Sequence, residues 1–255
     1  MNNRLNRKKN LFLKKKYFLI MILFLTLILL IYFFYYKFQK IENFFLKGIE
    51  KTSIQFNYTL QSYEIRGLNN VNKKEIVKII ETYLNSSIFL LPLNNIADKI
   101  YENNWIDKVE IKIDYKNKIF INIFEYKPIG IYHYNEKKYY FDSKGKIIDY
   151  FSLKNNQTQR FIIFKGKSST MEAYNLIKIL ENSNLKDKIL EAFFIKNRRW
   201  NLLLENDLLV KLSEINTDKS IENLFKLLNT LDKNDIKNIK VIDLRDYEKA
   251  ILEYR

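Results

Sequence analysis

A chain that performs chemistry must bring nucleophiles, acids, bases or metal ligands together, and this one offers few of them. His133 is its only histidine, it has no cysteine, and its five glycines stand singly rather than in a run. A Walker loop, a dinucleotide fingerprint, a zinc motif built on His or Cys pairs and a cysteine nucleophile are thereby excluded. A Ser-His-Asp triad would have to use His133, which lies in the strand-like segment IYHYNE, residues 131–136, with no nucleophile-elbow sequence anywhere. A partly exposed strand position explains that histidine more simply. Asp98 and Glu102 are spaced to share a helix face, as solvated faces commonly arrange their acids. No cofactor, metal or small-molecule ligand is expected, so the function has to come from contacts.

Those contacts are tied to a membrane. Tyr17 to Tyr36, YFLIMILFLTLILLIYFFYY, is a run of twenty residues without a charge. At about 1.5 Å per residue it covers about the 30 Å hydrocarbon core of a bilayer, where only a helix of this kind satisfies its own backbone polar groups. Residues 1–16 hold seven Lys and Arg and no acid, whereas the residues after the span mix Lys37, Lys40, Lys47 and Lys51 with Glu42 and Glu50. Positive charge stays inside, which predicts a cytoplasmic N-terminus and an exported remainder. Tyr17, Tyr32, Tyr35 and Tyr36 sit where amphipathic rings fit the headgroup layers. The apolar run exceeds a signal-peptide core of about 7–15 residues, and Lys37-Phe38-Gln39-Lys40 offers no small-residue cleavage site. The span is read as an uncleaved anchor.

The formal net charge of +15 falls once the tail is set aside, leaving 37 basic against 29 acidic residues. The excess is scattered lysine in a chain rich in Lys, Asn, Ile, Phe and Tyr, a bias that AT-rich codons produce. With no Arg-rich groove or binding motif, no nucleic-acid partner is expected. An exported part without cysteine has no disulfides and must be held by burial, and 47% hydrophobic residues suffice for two small cores.

In chain order, Phe38 to Gln61 shows helical spacing at Ile41, Phe44, Phe45 and Ile49, either continuing the anchor helix or lying near the membrane surface. A strand, Tyr63–Arg66, stops at Gly67. Asn72 is placed to cap a helix, Glu75 to reach back to it, and Val71 with Ile76 to staple the entry. Ile76, Ile79, Ile80, Tyr83 and Leu84 form its apolar face. A second helix follows Pro92 with Asn94 or Asn95 as cap and Ile96, Ala97 and Ile100 inward. Trp105–Tyr115 and Lys118–Tyr126 alternate as a hairpin turning near Lys116-Asn117. Strands then dominate, at Ile129–Tyr134, Lys138–Phe141, Lys146–Phe151 and Phe161–Phe164. Ser169 with Glu172 reads as a capping box for a helix burying Ala173, Ile177 and Leu180. Ile189–Ile195, Trp200–Leu204 and Leu208–Leu212 follow as strands. A helix from Asn216 or Thr217 buries Ile221, Leu224, Phe225, Leu228 and Leu231. The last strands are Lys240–Leu244 and Lys249–Tyr254.

Four segments carry a resemblance: IRGLNNVNKKEI (65–76), NNWIDKVEIKI (103–113), IFINIFEYKPIG (119–130) and YYFDSKGKII (139–148). They resemble the POTRA domain and following segment of the FtsQ/DivIB family of bacterial cell-division proteins. RRWNLLLENDLLVKL (198–212) and VIDLRDYEKAIL (241–252) are similar to that family's C-terminal β-domain, in the expected order. The resemblance implies an α+β architecture: a single N-terminal transmembrane helix, a POTRA domain of three strands and two helices, and a mainly antiparallel C-terminal β-domain with flanking helices. The expected divisions are a basic cytoplasmic tail at 1–16, the transmembrane helix at 17–36, a juxtamembrane linker at 37–61, POTRA at 62–128 and the β-domain at 129–255. Gly67, Trp105, Glu125 and Pro128 are the POTRA markers. Gly67 is expected at positive φ, Trp105 in the core, and Pro128 at the end of strand pairing. Lys116 stands where the family usually has proline.

The resemblance further implies a non-enzymatic divisome scaffold, a single-pass type II protein of the inner membrane with periplasmic domains that bind FtsB- and FtsL-like single-span partners. The final strand, Ala250, Ile251, Leu252 and Tyr254, would accept a partner strand at its open edge. Arg245 in the DLR motif matches a family arginine that meets an acidic partner residue. A basic pair ahead of the tryptophan supplies a second contact, for which Arg198 and Arg199 both qualify, one place later than the family pattern. Asp246 replaces a frequent aromatic. The rival expectations are a membrane-tethered periplasmic enzyme and a POTRA module of an assembly or secretion system.

Overall fold

The computed structural model describes residues 2–151 and 160–255, and the side chains of all of these except 2–16, 39 and 233. The basic side chains of the tail therefore lie outside the described ones. One uninterrupted helix, α1, runs Asn2–Gln55, so the anchor helix continues through the stretch expected as a linker. No proline interrupts it, and the hydroxyls of Thr26, Thr52 and Ser53 donate back to the carbonyls of Leu23, Gly48 and Ile49 at 2.9, 2.8 and 2.7 Å. Its Tyr17–Gln55 part is long and apolar enough to cross a membrane. Asn57, with φ 59°, turns the chain out of the helix, and Tyr58 N–H closes the end on Ser53 O at 2.8 Å.

The elements that follow are β1 Ser62–Arg66, α2 Lys73–Glu81, α3 Leu93–Tyr101, β2 Ile106–Ile113 and β3 Lys118–Glu125, with the strands ordered β1-β3-β2. Beyond them come β4 Gly130–Tyr134, β5 Lys137–Phe141, β6 Ile147–Tyr150, β7 Ile163–Lys165, α4 Ser169–Asn182, β8 Ile189–Ile195, β9 Arg199–Leu204, β10 Leu209–Leu212, α5 Thr217–Thr230, α6 Lys233–Asn238, β11 Ile239–Leu244 and β12 Ile251–Tyr254. The architecture is α+β, with an N-terminal apolar helix, a region of three strands and two helices, and a mostly antiparallel C-terminal sheet.

By contact the chain divides into two compact units, the first comprising Met1–Glu64, Lys78–Ile96 and Ile111–Ile121, the second Ile65–Val77, Ala97–Glu110 and Asn122–Arg255. In the first, the end of α1 is tied down by a buried hydrogen bond in which Ser87 Oγ donates to Ser53 Oγ at 2.7 Å. A bridge between Thr59 and Ser87 and the fully buried Leu60 extend that attachment. The hairpin turn needs no proline: the Asp114 carboxylate accepts from the N–H groups of Lys116, Asn117 and Lys118 at 2.9, 3.0 and 3.0 Å. Those bonds, the one from Lys118 foremost, hold its carboxyl below the ordinary carboxylate pKa. α3 begins at Leu93, and Pro92 O accepts the first helical bond from Ile96 at 3.0 Å. Asn94 and Asn95 therefore lie inside the first turn and are not its caps.

In the second unit the nine-stranded sheet is ordered β12-β11-β10-β9-β8-β7-β4-β5-β6. Parallel pairing is confined to β10/β11, β4/β7 and β7/β8. Its core joins Ala173, Leu176 and Leu180 of α4 and Ile221 and Leu224 of α5 to Phe164, Ala192, Leu202, Val210 and Ile242 of the sheet. Each of those strand residues lies in register with the next. The capping box expected at Ser169 does not form. Ser168, at φ 60°, is the cap and makes no side-chain bond, while the Ser169 hydroxyl is buried without a partner. Gly166 forces this entry: at φ 108° its backbone passes so close to β8 that a Cβ would lie 2.5 Å from Phe194 O. Asn216 is the cap of α5 but makes no side-chain bond, and the short α6 was not expected.

Candidate partner-binding edge

β12 is the last strand of the large sheet and pairs on one side only, with β11, through Asp243↔Ile251, Ile242↔Leu252 and Val241↔Glu253. Among the described residues no strand flanks its other side, so that side presents a row of backbone donors and acceptors. The strand begins at Ile251, and Ala250 stands exposed immediately before it. Alternation then separates the other candidates. Ile251 stands 68% exposed on the outer face, Leu252 packs against the core, and Tyr254 is exposed near the strand's end.

α5 holds the turn that leads into this strand. Ser220 Oγ donates to Leu244 O at 3.1 Å, and Asn223 Nδ2 donates to Tyr247 O at 2.6 Å. Asp246 accepts from the Glu248 N–H at 3.1 Å, a local turn that an aromatic could not make. Between them Arg245 points along the outer surface and grips Asp243, its Nε 2.9 Å from both carboxylate oxygens and its Nη2 2.7 Å from Oδ2. Burial pushes the Asp243 carboxyl up, but the hydrogen bonds and charge of Arg245, aided by Lys211, outweigh it and hold the group below its ordinary value. The same pairing raises the Arg245 guanidinium.

Asp243 extends a transverse row, because Asn201 pairs with Lys211, Lys211 with Asp243, and Asp243 with Ile251. Arg199 opens β9 on the same face as Asn201, since Trp200 between them is turned into the core against Phe164 and Phe194. Its Nε is buried without a partner. Arg198 lies in the preceding turn, exposed, and pairs with Glu214 at 3.4 Å. Arg199 on β9, Lys211 on β10 and Asp243 on β11 thus share the face on which Ile251 stands at the open edge, Arg245 lies closest to that edge through Asp243, and Arg198 stays in the turn ahead of β9. Asp243 and Lys211 escaped the sequence reading. For Asp243 the signal was its place two residues before Arg245 on one strand face; for Lys211, which needs the β10/β11 register, there was none.

The POTRA markers form a separate arrangement. Gly67, at φ 85°, passes so near β3 that a Cβ would fall 1.9 Å from Ile123 O, so no other residue fits. Glu125 folds over the following loop and accepts from the N–H groups of Asn69, Asn70 and Val71 at 2.8, 2.8 and 3.0 Å, and from Asn70 Nδ2 at 3.0 Å. Asn72 then caps α2, its Oδ1 accepting from Lys74 N–H at 3.0 Å. Glu75 accepts instead from Asn103 at 3.3 Å. Trp105 is buried, packs its ring at a tilt against Tyr140 with centroids 5.3 Å apart, and donates its Nε1–H to Asp149 at 3.0 Å. Pro128 lies between β3 and β4, where no ladder bond is lost. His133 is half-buried on β4 between Lys138 and Lys165 of the neighbouring strands.

The FtsQ-type POTRA domain family matches residues 59–126, and the family described as cell division protein FtsQ/DivIB, C-terminal, matches residues 130–245. The second match stops at Arg245, short of β12. Cell division protein FtsQ of Rickettsia conorii is 30% identical over 218 residues, which is 84% of this chain and 79% of that protein. FtsQ of Rickettsia felis is 29% identical over 221 residues, covering 85% and 80%. FtsQ of Agrobacterium fabrum is 19% identical over 205 residues, covering 80% and 64%. Two family matches in tandem and a long alignment at this identity place the chain in the FtsQ/DivIB family of cell-division proteins.

Proposed function

We propose that this cell-division protein is a non-enzymatic scaffold of the divisome, anchored with its N-terminus in the cytoplasm and its folded part, POTRA at 62–128 and β-domain at 129–255, in the periplasm. Its partners are single-span proteins of the FtsB and FtsL type. One of them adds a strand to β12 and sets an acidic side chain against Arg245. The observation that carries this reading is the unpaired side of β12 lying next to a guanidinium that Asp243 holds in place. A backbone edge supplies affinity and the neighbouring side chains supply specificity. Arg199 and Lys211 make the surrounding face basic, which favours an acidic segment and speeds its encounter.

The test is a pull-down with a soluble chain, Lys47 to Arg255, against extracts containing the division proteins, followed by identification of what is retained. Retention of FtsB- and FtsL-like chains that is lost on deleting residues 250–255 is the expected result. Retention unaffected by that deletion would place the contact elsewhere.

A further inference from the structure

Beyond the end of the apolar span, α1 presents a second apolar surface that the division reading does not use. Phe38, Ile41, Phe45, Gly48 and Thr52 follow one another at intervals of 3, 4, 3 and 4 residues, the spacing of a coiled-coil seam. The aromatics among them are bare, Phe38 at 69% and Phe45 at 64% exposure. The seam opens into an apolar groove of about 470 Å3 walled by Ile49, Phe56 and, from the turn packed on the helix end, Phe89. Gly48 also lines it, and a Cβ there would meet nothing within 4 Å, so another backbone can come close.

Lipid cannot cover this surface along a helix standing normal to the membrane. Phe45 lies nine residues past Tyr36, about 13 Å along the axis, whereas the headgroup layer is only about 5–7 Å thick. The charges flanking the seam name an occupant. In a parallel pair, the residue before each first seam position faces the residue five places on in the other helix. Lys37 then meets Glu42 of the second copy, and Phe44 meets Ile49. Attraction and apolar contact both arise from the chain's own sequence. Two copies anchored by the same span are also held parallel and at equal depth by the bilayer, which sets this register without any further device.

We infer that the α1 segment Lys37–Thr52 is a self-association surface, on which two copies pair as a parallel coiled coil just outside the membrane. The inference is independent of which partner takes the β12 edge. Because the chain has no cysteine, single replacements report contact cleanly. The full chain is reconstituted alone into liposomes as Phe45→Cys, Gly48→Cys, Lys47→Cys or Ile54→Cys and oxidised. Disulfide-linked dimers should form at positions 45 and 48 and not at 47 or 54. In the Gly48→Cys background, Lys37→Glu should lose most of the dimer, and Lys37→Glu with Glu42→Lys should regain it. Equal linking at all four positions, linking at none, or a charge swap without recovery would overturn the pairing. So would cross-links in native membranes to a chain of different mass at positions that stay unlinked in liposomes, since a different helix would then own the groove.

Discussion

At the residue scale the carboxylates organise the backbone. Glu125 spends both oxygens on three consecutive N–H groups of the loop before α2, so a single side chain fixes the entry to that helix. Glu125→Ala leaves those donors without an acceptor and should destabilise the soluble chain by about 1–3 kcal/mol, measured by urea unfolding. A change within error would mean that water replaces the carboxylate. Asp243 acts on Arg245 instead, and its pKa is lower in the folded chain. Its contribution is therefore complete above the unfolded carboxyl value of about 3.9 and is lost as pH falls through the lower folded value. The melting temperature of the native protein should exceed that of Asp243→Asn at neutral pH, and the two should converge below about pH 4. A constant offset down to pH 2 would exclude the ion pair as its source. Sequence pattern exposed Arg245, Gly67 and Trp105 through their motifs. It could not show that Glu125 reaches back 54–56 residues, because nothing local marks a long-range acceptor.

At the element scale, spacing located nearly all the strands and helices, since alternation and the 3.6-residue period are local. Caps were less legible. Ser169 and Asn94 have the residue types of caps, yet the close passage of Gly166 along β8 and the proline carbonyl at Pro92 decide where those helices begin. Strand order is beyond any local signal: the β10/β11 pair brings together segments about thirty residues apart and so assembles the row from Asn201 to Ile251. On β12 the outward Ile251 and inward Leu252 make different predictions. Leu252→Ala removes core packing and should lower stability with binding changed only in proportion. Ile251→Pro removes one ladder donor and fixes φ on the edge strand, so a partner strand should no longer dock. Partner binding is read by pull-down beside a melting curve, and full retention by a folded Ile251→Pro chain would count against strand addition.

At the scale of the whole molecule the unbroken helix is the governing feature. α1 carries the apolar span without a break to Gln55, where the Ser53–Ser87 contact ties its end into the first unit. The side of the membrane that receives residues 56–255 should therefore follow the charges flanking that span. Residues 1–16 hold seven basic groups and no acid, while the first fifteen residues past the span hold four basic groups and two acids. Lysines and arginines near a span are retained on the cytoplasmic side, so a reporter active only in the periplasm should work when fused after Arg255, and one active only in the cytoplasm should not. Replacing Lys8, Lys9, Lys14, Lys15 and Lys16 together by Asn removes most of the asymmetry and should divide the population between orientations. If the cytoplasmic reporter is active on the native sequence, the β12 edge faces the wrong compartment for exported partners, and the scaffold reading fails along with the topology.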